Sequence, residues 1–469
     1  MKVPNALFPV SLFLISACRG DVYQWTTLAG KPGFYNESYV DGPGDTALFS
    51  RPERITLAPN GNFYMTDSGT GIVRRMTPEG EVSTPPGALS AGISFYGGIT
   101  VDTSGNIFVS DRVRHVIKKI TPDGQVSIFA GKLNSYGSDN GKGEAARFDT
   151  PCGLASGSNG ALYLADNSNK TIRTITPGGV VGRLAGLPGF PGTADGSSSI
   201  ARFSDPTALS VGTGGNIFVT DTSMNTIREI TPGGGVSTLA GLAFGVGGPD
   251  DGTGASARFN NPSGITVDSL GNIFVADTQN HAIRKIIPGR VVTTIGGLAR
   301  WEGSKDEIGA YARFSQPADI AVDSQGGLYV TDWGNRCVRK GVLVPEPSAL
   351  SNWRLEHFDT RSGTGSSADA YDYDQDGLAN LVEYAFDLDP KSSDSSGVPS
   401  WEHTPEGIRL VFSQPTTVNG ITYSAEWSTD LEEGSWHSIP DQGSGGNHHF
   451  STSPSGYAHF FTRIRITSP

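Results

Sequence analysis

At 469 residues the chain has room for two or three domains. Its 63 Gly and 29 Pro, against only 17% charged side chains, point to many short strands joined by turns rather than to long helices. The net charge of −12 is unevenly placed: residues 21–345 hold 27 basic and 29 acidic side chains, whereas 346–469 hold 6 and 18. A near-neutral body with an acidic tail offers no positive footprint for a phosphate backbone, which argues against nucleic acid as a partner.

Residues 1–20 read as an export leader. Lys2 is the basic start, and the apolar run 7–15 is too short to span a bilayer as a helix. The run ends in Ile15-Ser16-Ala17-Cys18, which resembles a bacterial lipobox with Cys18 as the lipidated first residue of the mature chain. Ordinary secretory cleavage nearby is the alternative. Either way the protein is expected outside the cytoplasm of a bacterium, secreted or as an outer-surface lipoprotein, with membrane contact only through that lipid anchor. Beyond Cys18 only Cys152 and Cys337 remain. They fall in distant repeats, so packing rather than a disulfide is expected to hold the fold.

From residue 22 a repeat takes over. Gly271-Asn272-Ile273-Phe274-Val275-Ala276-Asp277, followed by Ile283-Arg284, recurs with its aspartate at 67, 111, 166, 221, 277 and 332. The intervals are 44, 55, 55, 56 and 55 residues, which makes six copies. Each copy reads as four short half-buried strands: one after a Pro, as in Pro262-Ser263-Gly264-Ile265; the Ile-Phe-Val run; the Ile-Arg-Lys-Ile run; and a strand such as 291–297. Four-strand units repeated radially form a propeller, whose closure hides its sheet edges. The sixth copy lacks its own fourth strand, and Tyr23-Gln24-Trp25-Thr26-Thr27-Leu28-Ala29-Gly30 supplies one from the other end of the chain. The expected fold is therefore all-β: a six-bladed β-propeller over 22–345 closed by the N-terminal strand. A linker with a calcium loop over 346–400 and a small β domain over 401–469 follow.

The pattern Val-x-Asp-x-x-Asn-x-x-Ile-Arg-x-Ile resembles the NHL repeat family over 22–345. The first copy departs from it at Asp67-Ser68-Gly69-Thr70-Gly71. The second departs further, at Arg112-Val113-Arg114-His115 and with Lys118 in place of Arg. Six pairs recur seven positions apart: Asp67 and Arg74, Asp111 and Lys118, Asp166 and Arg173, Asp221 and Arg228, Asp277 and Arg284, Asp332 and Arg339. Six identical copies suit a structural hairpin clasp rather than a catalytic site, which needs groups of different kinds.

A second recurring element, Ala-Arg-Phe before the Pro, fills the long connections: Ala146-Arg147-Phe148, Ala201-Arg202-Phe203, Ala257-Arg258-Phe259 and Ala312-Arg313-Phe314. Phe reads as the loop anchor and Arg as its bond to nearby carbonyls or carboxylates; the sharper reading is a ring of arginines for an anionic ligand. Some propellers of similar repeat type are metal-dependent lyases or lactonases. Such a site needs converging His, Asp or Glu side chains. Here only His115 and His281 occur in the repeats, both in turns. Asp102, Asp268 and Asp323 end inner strands and read as turn caps, with a channel site as the alternative.

Past the linker, Asp372-Tyr373-Asp374-Gln375-Asp376-Gly377-Leu378-Ala379-Asn380-Leu381-Val382-Glu383 matches a twelve-residue calcium loop. Asp372, Asp374 and Asp376 take its first three ligand places. The Leu378 carbonyl, Asn380 through a water, and bidentate Glu383 complete an oxygen cage for Ca2+. An exit helix is expected over 381–386, while 363–370 is too rich in Gly and Ser to enter as one. The segment thus resembles dockerin-like or thrombospondin-type-3-like half hands in exported bacterial proteins. Short strands are expected at 408–412, 421–427 and 459–466, with His448 and His449 exposed. The functional expectation is a monomeric binding or scaffold propeller that presents its loop face to a protein or glycan ligand. The rival is a metal-dependent lyase or lactonase.

Overall fold

The computed structural model describes residues 21–34, 38–89, 92, 97–345, 349–358, 380–391, 398–399, 402–404, 407–428, 436–452 and 461–467. The chain divides into two compact units, 1–344 and 345–469.

The first unit is a six-bladed β-propeller. Each blade is an antiparallel sheet whose first strand lies innermost. Blade 1 begins at Pro52–Leu57, blade 2 at Ile99–Val101 and blade 3 at Pro151–Ser156. Blades 4, 5 and 6 begin at Pro206–Val211, Pro262–Val267 and Pro317–Val322. The second strand was expected to be half-buried. In five of the six blades it is buried along its whole length, as at Ile273–Asp277. The cause is stacking of each blade between two neighbours, which covers both faces of its sheet. Residues of adjacent blades therefore share one apolar layer: Phe203 and Leu209 pack with Ala165 and Ile172.

The ring closes as the sequence implies. Val22–Gly30 pairs antiparallel along Cys337–Val344, from Val22 opposite Val344 to Gly30 opposite Cys337. Trp25 is wholly buried there; its indole N–H donates to the Ile295 carbonyl at 3.0 Å, and its ring meets Phe314 edge-on at 5.1 Å. Gly341 makes room for that ring, since a Cβ at this position would lie 2.6 Å from it. Cys152 and Cys337 are buried free thiols.

The long connections do more than loop. Gly141–Lys142, Gly252–Thr253 and Glu307–Ile308 each add a short fifth strand to the outer edge of a blade, and single bridges, Gly42 to Val82 and Gly196 to Val236, do the same in blades 1 and 4. The connection then turns inward and wedges its Phe between two blades.

In the second unit, helices Ala349–Phe358 and Asn380–Phe386 accompany two three-stranded antiparallel sheets. One sheet joins Glu402–Thr404, Gly407–Ser413 and Asn447–Thr452; the other joins His437–Ile439, Thr422–Ser428 and Phe461–Thr467. Ala385, Phe386, Leu410, Tyr423 and Phe450 form its core. His448 and His449, expected exposed, are half-buried. Aromatic packing draws His448 in: its ring stacks on Phe412 at 4.9 Å while Nδ1 meets Asp441 at 2.6 Å. Among the described residues no helix is long and apolar enough to cross a membrane.

Candidate binding site

All six recurring pairs meet, with charged atoms 2.7 to 3.9 Å apart and both partners nearly or fully buried. They clasp more than a hairpin. Asp277 accepts the Asn260 N–H at 2.7 Å, and Asp332 the Ser315 N–H at 2.8 Å. These two carboxylates, like Asp67, Asp166 and Asp221, thereby fix the chain just before an inner strand. The Arg reaches the connection as well: Arg284 donates to the Arg258 and Asp250 carbonyls at 2.8 and 3.0 Å and to Asp251 at 2.8 Å. Its guanidinium also lies 5.2 Å from the centre of the Phe259 ring, and Arg74, Arg173, Arg228 and Arg339 stack on Phe49, Phe148, Phe203 and Phe314 in the same way. Burial pushes Asp166 and Asp332 up to about 6 despite these cations. The Ala-Arg-Phe arginines donate to carbonyls of their own connections, as Arg258 does to Ala255 at 2.7 Å. Through Nη1 they serve as loop fasteners.

The histidines of the repeats also serve the frame. His115 and His281 stand in left-handed turns, and their Nδ1 atoms accept the N–H groups of Thr150 and Gln316 at 3.2 and 3.1 Å. Burial lowers the His281 pKa, which favours the neutral ring that can accept. Asp102, Asp268 and Asp323 each cap the turn after an inner strand, Asp268 taking the N–H groups of Leu270 and Asn272. Among the described residues no three His, Cys, Asp or Glu side chains converge as metal ligands.

Six-fold regularity breaks at the axis. The second residue after the inner-strand Pro is small in blades 3, 4 and 5: Gly153, Ala208 and Gly264. Gly98 takes the same place in blade 2. Neighbouring inner strands nearly touch at this level, and a Cβ on Gly264 would lie 2.4 Å from the Asp319 Cα. Blades 1 and 6 instead place Arg54 and Asp319 there. Arg54 Nη1 crosses to the Ser263 carbonyl at 2.9 Å, while Asp319 accepts the Ile55 N–H at 3.1 Å.

Arg54 thereby divides the axial channel. Below it lies a cavity of about 260 Å³ walled by inner strands. Above it, at the end bearing the long connections, lies a cup of about 230 Å³ lined in part by Glu53, Arg54, Arg112, Ser263, Thr278 and Trp333. Arg112 and Trp333 take the place directly after the repeat Asp. In the next three blades Asn167, Thr222 and Thr278 bond from that place to the Pro206, Pro262 and Pro317 carbonyls at 3.0, 2.7 and 2.8 Å.

Glu53 is only 4% exposed and Arg54 5%. Burial pushes Glu53 up to about 7, against the pull of Arg54, a Ser68 hydrogen bond and Arg112; Asp319 pushes the same way as burial. Glu53 Oε2, Arg54 Nε and Trp333 Nε1 are buried without a hydrogen-bond partner among the described residues, as are the Nε atoms of the repeat arginines Arg74, Arg228, Arg284 and Arg339. At the same end, the connections carry Phe34, Tyr136, Phe190, Phe244 and Trp301, each at least half exposed.

Of the calcium-loop residues, Asp372, Asp374, Asp376 and Leu378 lie outside the described residues, as does 363–370. Asn380 and Glu383 open the helix Asn380–Phe386, each 1% exposed. Cys18 also lies outside them.

The NHL repeat family model matches residues 259–286 and 314–340. The chain is 29% identical over 197 residues to Protein SUPPRESSOR OF QUENCHING 1, chloroplastic, of Arabidopsis thaliana, covering 36% of this chain and 18% of that protein. It is 30% identical over 166 residues to NHL repeat-containing protein 2 of Bos taurus, covering 32% and 22%. The chain thus spans about a fifth of the length of these curated relatives. Among solved structures, an auxiliary nutrient binding protein from Bacteroides ovatus superposes with a TM-score of 0.54 at 17% identity, over 70% of this chain and 78% of that one. At that identity the likeness concerns the fold. With NHL repeats matched at 259–286 and 314–340, in blades 5 and 6, and the same four-strand unit in every blade, the chain is a six-bladed β-propeller that carries NHL repeats.

Proposed function

We propose that this protein is a binding propeller that takes its ligand in the axial cup on the face bearing the long connections. The carrying observation is the break in the repeat there: Glu53, Arg54, Arg112 and Trp333, which line the cup, depart from their counterparts in the other blades. Elsewhere the recurring polar groups bond mainly to the frame, as Arg284 does through Nη1 and Nη2. A fold shared with a protein described as nutrient-binding suits this reading, because propellers carry function in sites set on a common frame.

Export, by lipidation of Cys18 or by free secretion, belongs to the same proposal and rests on the leader. So does a structural calcium ion held by Asp372, Asp374, Asp376, the Leu378 carbonyl, Asn380 and Glu383. An all-oxygen donor set suits that hard cation, and the burial of Asn380 and Glu383 at a helix start fits ligands turned inward. The ion would order an acidic segment rather than take part in chemistry.

The test is a small-molecule thermal-shift screen on the wild type, repeated on Arg112→Ala and Trp333→Ala. Stabilising compounds should lose their effect in both variants. Ligands indifferent to both changes, or chelator-sensitive turnover of a ligand, would replace the binding-cup reading.

A further inference from the structure

Each seam between neighbouring blades holds, toward the end opposite the cup, an aromatic ring from a second strand. The six are Tyr64, Phe108, Tyr163, Phe218, Phe274 and Tyr329. Five of them expose 9% or less, whereas Tyr163 is half-buried. The third strand explains the difference. Lys119, Lys285 and Lys340 stand directly across from Phe108, Phe274 and Tyr329, and their ammonium groups lie 5.9, 5.7 and 5.2 Å from the ring centres. Arg75 stands across from Tyr64. In blade 4 the place belongs to Glu229, which accepts from Asn216 at 2.7 Å. Across from Tyr163 is Thr174, too short to reach over a ring.

Two further changes open the same place. In the other blades the fourth strand sets Ser83, Ser127, Ser237, Thr293 or Thr26 beside that third-strand residue; in blade 3 it sets Gly182. Blades 2, 5 and 6 follow the inner strand with Asp102, Asp268 and Asp323, and Asp323 accepts the Tyr329 hydroxyl at 3.2 Å. Blade 3 has Gly157 there. A cavity of about 470 Å³ lies at the seam of blades 3 and 4, walled in part by Tyr163, Thr174, Leu184, Val211 and Ile217, and none of its lining residues is charged.

We propose that this groove binds a primary alkylammonium group, held over the Tyr163 ring as Lys119, Lys285 and Lys340 hold theirs over the rings of their own blades. The sister blades supply the template. An ammonium is drawn to the negative face of an aromatic ring, and a lysine stem covers apolar surface while its head stays near water. A ligand arriving from solvent lays a stem of similar length over Thr174 and Gly182 and brings its cation to the ring. A carboxylate meets the ring face with the wrong sign and finds no cation in the lining. A neutral alkyl group fits the walls but gains nothing from the ring's charge distribution. A free amine and the lysine side chain of a polypeptide present the same group, and the experiment separates them. The site goes beyond the cup and does not depend on it.

Ligand-observed NMR titration of the full chain tests this at neutral pH, where alkylamines are charged. The probes are butylamine, diaminopentane, Nα-acetyl-lysine amide, a blocked Gly-Lys-Gly tripeptide and, as the neutral match, butanol. The amines should bind in the millimolar range, and butanol about fivefold more weakly or worse. Thr174→Lys gives blade 3 the residue that its sister blades carry. It should fill the groove from within and abolish amine binding. Tyr163→Leu should weaken binding about fivefold, while Tyr163→Phe, which keeps the ring, should hold it within about twofold. Circular dichroism confirms the fold of each variant. Tighter binding of the tripeptide than of the lysine amide assigns the groove to a polypeptide, and equal binding assigns it to a small amine. Butanol binding as tightly as butylamine overturns the proposal in favour of an apolar groove. Amine binding that survives Thr174→Lys overturns it too and places the cation elsewhere, as on the acidic residues of 346–469. So does absence of binding at tens of millimolar. Each result leaves the cup reading untouched, because neither Tyr163 nor Thr174 lines the cup.

Discussion

Trp25 and Gly341 should be coupled through the closing strand. Trp25→Ala removes a fully buried indole, its edge-on contact with Phe314 and its hydrogen bond to the Ile295 carbonyl. Truncating a buried aromatic of this size costs about 3–5 kcal/mol, within which the lost hydrogen bond accounts for about 1. Gly341→Ala acts by the opposite route. Its new methyl would sit 2.6 Å from the indole, well inside contact distance, and overpacking of this kind costs about 1–3 kcal/mol. In the Trp25→Ala background the methyl enters vacated space, so most of the Gly341 penalty should vanish. The double variant should then be more stable than the sum of its parts by about 1–3 kcal/mol. Urea denaturation of the four proteins, followed by circular dichroism of the sheet, measures the cycle. A loss below about 1 kcal/mol for Trp25→Ala, or additive effects in the cycle, would refute the claim that this indole locks blade 6 to blade 5.

Three further outcomes are expected. Glu53 binds its proton more tightly folded than unfolded, so wild-type stability should fall relative to Glu53→Gln as pH rises from about 4.5 to about 7, by about 3 kcal/mol at most; parallel stability curves for the two proteins over that window would contradict the buried, uncompensated carboxylate. Calorimetry with calcium should give one site in the wild type, with Kd of about 10⁻⁴–10⁻³ M as in extracellular modules, weakened strongly by Glu383→Gln while the propeller stays folded; absence of heat at millimolar calcium would remove the loop assignment. Cys18→Ser should move the protein from the membrane fraction to the soluble fraction of the producing cell, and identical partitioning of the two forms would end the lipid-anchor proposal.

What the sequence made legible was whatever repeats in line. The aspartates at 67, 111, 166, 221, 277 and 332 counted the blades, and the missing strand after Arg339 pointed to residues 23–30 as its substitute. Phe148, Phe203, Phe259 and Phe314 read correctly as anchors. Their stacking under the repeat arginines needed the fold, because loop and strand meet only after about 26 intervening residues close into a wedge. The cup escaped for the opposite reason. Glu53, Arg54, Arg112 and Trp333 recur nowhere and are spread over 280 residues, so only ring closure joins them. A signal existed in the row of small residues Gly98, Gly153, Ala208 and Gly264, which Arg54 and Asp319 interrupt. In the sequence Arg112 stands out only as a departure from the pattern in the second repeat. In this fold irregularity is where a site can differ from its scaffold.

The pairing of Val22 with Val344 fixes how the propeller can be mounted. Each blade's inner strand starts at the cup end, so its second strand returns there and its third leaves again. Cys337–Val344 is such a third strand and runs away from the cup, and Val22 faces its far end. The chain therefore joins and departs the ring side by side on the face opposite the cup. A tether upstream of residue 22 would hold the propeller by its back like the stem of a dish, at the end of the channel opposite the cup.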